Sequence, residues 1–600
     1  MKITHSFGDL KIEKEIGGAA AFLLTNRLGD YLSWQTSGGA ISRYQGWYTA
    51  FGGELFKIID DLEIDGAPAA QEFTNNFWNV QRKRGEIEEN FFLPLESHSL
   101  VWEISRKSRV NLVFDVKKSY ENNEYGRNYE IFGEKGVVFV RYRDDSGYEL
   151  WLAVKNEAGL PSFPNQWFPR FYIFDQKRNS WPFERYVSRG LTFDGARTIV
   201  ISVGKSKKEA AAQVNFVFKK RESLKKKARK EIIEKKTVPE KIRDEEIKMA
   251  YLCCRNSLNA LLVNAPEKLG VYAGLPWFFQ FWSRDEAISL KSLWRQNSKE
   301  AKSVIFRLLH SIGSTGRIPV WQGEIERESA DAAGWVFQRV GELIRNPESV
   351  FSGISFSRKE LKEIKEKIVS TATALIGNHT ADGFDIAGPN ETWMDTLVRA
   401  GARIEIQVLR LNLYKLAYEL TGDNRWRELE SELAFKVREN FWNGEILADG
   451  LEDWTVRPNI FIAAYVYPEL LTKDEWLKCF ESALAKLWLE WGGVATLDKE
   501  NPTFYWRHSG ENNLSYHNGD SWFWLNNLAA LVLYKFDAKK LSEFAGKIME
   551  ASTEEILWSG VVGHHSELSS AENLSSEGCW AQAWSAALYL EALDEILERG

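Results

Sequence analysis

The sequence predicts two folds in tandem, an N-terminal β-sandwich followed by an (α/α)6 barrel. Three observations predict them. Over residues 1–218, short apolar and aromatic runs alternate with polar turns. From residue 240 the apolar period becomes that of a helix, in roughly a dozen segments. Between them, residues 219–239 carry a charged stretch expected to be a linker.

In the first region, Gly136-Val137-Val138-Phe139-Val140-Arg141-Tyr142 and Tyr148-Glu149-Leu150-Trp151-Leu152-Ala153-Val154 read as neighbouring strands, with Asp144, Asp145, Ser146 and Gly147 as their turn. Many such strands make a large sandwich. The basic run Lys219 to Lys236 is interrupted by Glu and precedes Pro239, so it reads as a solvated linker or helix face. In residues 240–600, helices are expected near 240–263, 285–297, 299–313, 330–344, 358–378, 402–421, 423–440, 457–469, 473–487, 516–534, 538–556 and 578–598. Ile406, Leu409, Leu413, Leu416 and Leu420 form one helical stripe, and Gly422 stands where a C-terminal cap belongs. Ala583, Ala587, Leu590, Leu593 and Leu597 form another. Twelve helices pair into six hairpins that close as a toroid, with the loops before the helices carrying the chemistry on one face.

The 600 residues carry a net charge of −7 and no basic stripe interleaved with aromatics, which excludes a nucleic-acid surface. No run of about 18 apolar residues exists, so no membrane span is expected. The start, Met1-Lys2-Ile3-Thr4-His5, is not an apolar signal segment, and a cytoplasmic protein is expected. Cys253, Cys254, Cys479 and Cys579 lack metal-ligand spacing and read as reduced core thiols. With 25 Trp, some are expected to pave a binding cleft and most to fill cores.

Several loop motifs carry chemistry. Thr392-Trp393-Met394-Asp395 sets a carboxyl just past a tryptophan, as protonation of a glycosidic oxygen beside a sugar-stacking ring requires. Phe281-Trp282-Ser283-Arg284-Asp285 offers a planar donor fork and an acceptor, suited to vicinal hydroxyls. Asp285 and Asp395 serve equally well as helix caps. Arg457-Pro458-Asn459 and Tyr516-His517-Asn518-Gly519-Asp520-Ser521-Trp522 gather further donors and acceptors, where a structural network is the rival reading. His564-His565-Ser566-Glu567 supplies a second carboxyl, with Glu572 and Glu577 as alternatives in the same loop. The paired histidines have no third ligand at metal spacing.

In order over residues 270–600, the motifs Trp282-Ser283-Arg284-Asp285, Asp331-Ala332 before Trp335, Thr392-Trp393-Met394-Asp395, Ile404-Glu405-Ile406-Gln407, Arg457-Pro458-Asn459, Tyr516-His517-Asn518-Gly519 and Gln582-Ala583-Trp584-Ser585 resemble the amylo-α-1,6-glucosidase family. This is the glucosidase part of glycogen debranching enzymes in its stand-alone archaeal and bacterial form. Leu24-Thr25-Asn26-Arg27-Leu28-Gly29 and Ser42-Arg43-Tyr44-Gln45-Gly46 are similar to that family's β-domain, with Gln45 where His is usual.

The resemblance implies an inverting hydrolase of α-1,6-linked glucose on glycogen or limit dextrin. It assigns Asp395 as general acid and Glu567 as general base, and needs no cofactor or metal. Arg284, Asp285, Asp331, Glu405, Arg457 and His517 would then hold the terminal glucose, with Trp282 and Trp393 as stacking surfaces. Other readings on the same architecture are a glucoamylase- or trehalase-like glucosidase, a glycoside phosphorylase, a sugar epimerase and a non-catalytic glycan-binding protein.

Overall fold

Two strands of 20 and 21 residues, Ser99–Lys118 and Glu184–Gly204, organise the N-terminal part of the chain. The computed structural model describes residues 1–600 apart from 19, 52, 158, 235–237, 266–267, 346–354, 538 and 600. The long strands pair antiparallel, with register breaks between Glu103 and Ser108 and again after Leu112. Such bulges bend a strand and increase its twist, so each long strand serves two layers. Its first-layer half pairs outward with Ile87–Phe92 on one side and Glu149–Asn156 on the other. Its second-layer half pairs with Glu54–Ile64 and Gln166–Phe171. All 16 strands therefore form one continuous sheet folded into a sandwich. Across its interior, the ring centroids of Phe114 and Tyr129 lie 5.7 Å apart.

The expected hairpin runs Val137–Arg143 to Glu149–Asn156, and Asp144 accepts from the Tyr148 amide to close its turn. Of the two readings of the charged stretch, linker or helix face, its first part takes the second: residues 207–229 form one helix, followed by a π-helical turn at Lys230–Glu234. The reason is an apolar stripe. Ala210, Val214, Val217 and Ala228 pack on Phe92, Val101, Phe139 and Val200 of the sheet, while the Lys-rich face stays wet.

Twelve α-helices follow residue 240 among the described residues. Glu245–Leu261 groups with the sheet in a first unit, Met1–Lys268 plus Ile556–His564; the second unit is Leu269–Glu555 plus His565–Gly600. In the second unit Ser283–Gln296 packs on Ala332–Arg345, that on Ile404–Thr421, then Asn459–Val466, Phe523–Phe536 and Ala583–Arg599, which returns to Ser283–Gln296. This closed ring is the inner layer of an (α/α)6 barrel. Inner helices are buried all round: every residue of Ser283–Trp294, Ile404–Tyr414 and Phe523–Leu533 is buried. The stripe read at Ile406–Leu420 is thus one side of a wider apolar surface. Outer helices bury one stripe, as Asn424–Phe441 does with Trp426, Leu433, Val437 and Phe441. Gly422 caps its helix in the left-handed region, φ +70°. No described helix is long and apolar enough to cross a membrane.

Candidate active site

The six inner helices present their N-terminal ends to one site. Arg284 and Asp285 open Ser283–Gln296, and Asp331 directly precedes Ala332–Arg345. Glu405 lies in the first turn of Ile404–Thr421, Asn459 opens Asn459–Val466, Trp522 precedes Phe523–Phe536, and Gln582 precedes Ala583–Arg599. Free amides and the positive dipole end favour carboxylates at such positions.

Three carboxyl groups share this site. Asp395 is the open one, with 36% of its side chain exposed. Its Oδ2 lies 3.5 Å from Arg284 Nη1 and its Oδ1 3.9 Å from His517 Nε2. Asp285 is buried, and its Oδ1 accepts from Gln582 Nε2 at 2.8 Å. Its carboxyl is pushed up to about 8 chiefly by burial; Arg284 pulls the other way, and the negative charges of Glu567 and Asp395 push it further up. Glu567 is buried and accepts from the Cys579 amide at 2.8 Å and from Tyr516 Oη at 3.5 Å. Gly578 has φ +65°, and a side chain there would collide with the Glu567 carboxylate.

Of the three glutamates read in this loop, Glu567 alone is buried among the site residues. Glu572 is exposed and paired with Arg507, and Glu577 lends its backbone to a bridge with Leu568. Glu391 is turned away from Asp395 onto Arg317, 2.5 Å off.

Trp282 is partly exposed, lies 5.0 Å from the Trp321 ring, and its indole N–H has no acceptor among the described residues. Five other expected sugar contacts are placed differently. Trp393 has no open ring face: it is boxed in edge-on by His517, Trp522 and Trp524, and its Nε1 donates to Asn459. His517 is wholly buried. Asp331 accepts from Arg284 Nε with both oxygens and from Ser329 with one, so it braces the arginine. Glu405 is bound by Arg399 at 2.7 Å. Arg457 points Nη1 at the carbonyls of Thr496 and His517 and Nη2 at Asn518, fixing that loop.

Sequence reasoning missed the hub behind Asp395. Arg399 bridges Glu405 and Asp449 and donates to Thr392 Oγ1 at 2.9 Å, while Asn459 joins Trp393 to Asp449. Arg399 and Asp449 stand in no motif, because their meaning depends on chain segments 50 residues apart. It also missed Glu555, fully buried, which accepts from His565 Nδ1 and from the hydroxyls of Ser566 and Ser576 and so locks the run leading into Glu567. His565 is thereby structural. His564 belongs to the first unit and meets Ser257 Oγ at 2.9 Å. No cluster of three His, Cys, Asp or Glu suited to a metal occurs among the described residues.

The family comparison identifies the ring of helices and its converging carboxyls as the fold of a glycoside hydrolase. Within that class, the chain belongs to the amylo-alpha-1,6-glucosidase family, which it matches over residues 247–591. A bacterial glucoamylase solved with acarbose is 13% identical, with a TM-score of 0.63 over 98% of this chain and 96% of that one. A glycosidase variant solved with glucose is 14% identical, with a TM-score of 0.43 over 59% and 99%. An uncharacterised conserved protein from Thermus thermophilus is 12% identical, with a TM-score of 0.44 over 57% and 99%. No curated protein matches the chain.

Proposed function

We propose that the protein is a cytoplasmic, inverting amylo-α-1,6-glucosidase that releases glucose from the branch stubs of glycogen or limit dextrin after another enzyme has trimmed them. The observation that carries this reading is the setting of two carboxyls around a third. Asp395 is open to solvent, Glu567 is pinned deep by its backbone and by Cys579, and Asp285 is close enough to both to feel their charge.

In this reading Asp395 gives its proton to the glycosidic oxygen, the C1–O bond breaks, and its electron pair leaves on that oxygen. Water adds to the opposite face of the sugar while Glu567 removes its proton. An inverting pair stands about 6.5–9.5 Å apart to admit that water. Arg284, Asp285 and Trp282 grip the terminal glucose. Family membership supports the α-1,6 linkage over the α-1,4 and α,α-1,1 linkages of glucoamylase and trehalase substrates.

Proton NMR of the first product from a branched limit dextrin tests the reading, and β-glucose is expected. Isomaltose, maltose and trehalose alongside separate the linkages, and a phosphate requirement would indicate a phosphorylase. Asp395→Asn should lose at least about a thousandfold in rate while staying folded; activity within a few-fold of wild type sinks the acid assignment. Azide should rescue Glu567→Ala with formation of the β-glucosyl azide. Rescue at Glu572 or Glu577 instead moves the base there.

A further inference from the structure

His517 is a polar side chain in an apolar box. It is wholly buried, stacked on Trp522 at 4.9 Å and 8°, and set edge-on to Trp393 at 5.2 Å. Neither ring nitrogen has a hydrogen-bond partner among the described residues. Buried polar groups left without partners are costly, and this one has a possible partner just out of reach. Nε2 stands 3.9 Å from Asp395 Oδ1, beyond hydrogen-bond distance. Contacts of this kind are often long in empty sites and tighten when substrate binds.

We propose that His517 is a positioning residue for Asp395: a neutral imidazole, protonated at Nε2, that closes onto Oδ1 when sugar fills the cleft and steadies the carboxylate left behind as the acid's proton departs. The inference rests on the reading of Asp395 as general acid.

The surroundings suit a donor that stays uncharged. The groups facing the ring are Asp395, Tyr516, whose ring stands edge-on at 6.3 Å, Arg457, whose Nη1 donates to the His517 carbonyl, and Arg399 behind them. Burial holds the imidazole below its ordinary value; Asp395 opposes that and the two guanidiniums reinforce it. The positive charge of an imidazolium would favour the Asp395 anion before substrate arrived. A neutral N–H favours the anion only as it forms, and His517 keeps its own proton throughout. The other oxygen of Asp395 faces Arg284, so the carboxyl is addressed from both sides.

The experiment is the pH profile of kcat/KM for His517→Leu and His517→Gln, with Asp395→Asn measured beside them. The leucine variant should lose roughly 100-fold, carried by kcat with KM within about threefold, and its alkaline limb should move up by about one pH unit because the acid's anion has lost a donor. The glutamine variant, which keeps an N–H, should recover at least about tenfold of that loss and most of the limb position. A folded leucine variant with the wild-type limb overturns the proposal, whether or not its rate falls, since a merely structural role would leave the limb in place. Should the leucine variant not fold, ¹⁵N-histidine spectra of the wild type decide. The resonance missing from the His517→Gln spectrum must stay a neutral Nε2–H imidazole between about pH 5 and 8; charging there, or an Nδ1–H tautomer, overturns the proposal. An active Asp395→Asn would instead discard the acid reading itself.

Discussion

At Asp285 and Asp395 the same residue type meets two environments, and burial sets them apart. Asp395 keeps 36% of its side chain in contact with solvent, whereas Asp285 is enclosed and held toward its neutral form. The native chain therefore binds a proton that the unfolded chain releases, and stability falls as pH rises from the ordinary 3.8 to about 8, then levels. Asp285→Asn titrates in neither state. Its Tm relative to wild type should climb steadily across that window, read by scanning calorimetry in matched buffers; a difference independent of pH would show that Asp285 is charged in the native state. Both aspartates were legible in the sequence as a carboxyl beside a ring or at a helix start. Which of them is enclosed was not, because the lid over Asp285 includes Gln582, 297 residues away.

Elements explain how Asp395 is held. The loop before Ile404–Thr421 is fixed at Thr392 by Arg399 and at Trp393 by Asn459, and both anchors converge on Asp449. Arg399 spans two carboxylates with a planar fork that lysine cannot copy. Arg399→Lys should therefore keep its charge, fold, and lose about 10- to 100-fold in kcat/KM through a displaced Asp395; steady-state kinetics with unchanged circular dichroism check this. The helices themselves were readable, since the period of apolar residues and markers such as Gly422 are local signals. The inner helices were read as one-sided stripes because sequence shows where apolar residues recur, not how many neighbours surround them. The charged run past residue 218 left linker and helix face both open for a related reason: Val214, Val217 and Ala228 are too sparse to stand out among lysines, yet suffice to seat a helix on a sheet.

At the scale of the whole molecule, the ring is bolted by charge away from the site. Arg339 and Lys291 meet Glu591 at 3.0 and 3.1 Å, and Glu342, Glu595, Lys535 and Tyr465 complete a network drawn from five of the inner helices. Arg339 and Glu591 are buried, so removing one charge strands the other; Glu591→Gln should cost about 3–5 kcal/mol, seen as a lower urea midpoint for the helical unit. The same network spans first helix to last, and Lys291 and Glu591 are 300 residues apart in the chain. Contacts so distant form late, after the entropy of a long loop has been overcome. A chain without Ala583–Arg599 would keep Asp395, the Arg399–Asp449 hub and five inner helices, yet leave Asp285 without Gln582. Only when Ala583–Arg599 emerges and closes the circle does Gln582 reach Asp285. Closing the ring and completing the surroundings of Asp285 are therefore one and the same event.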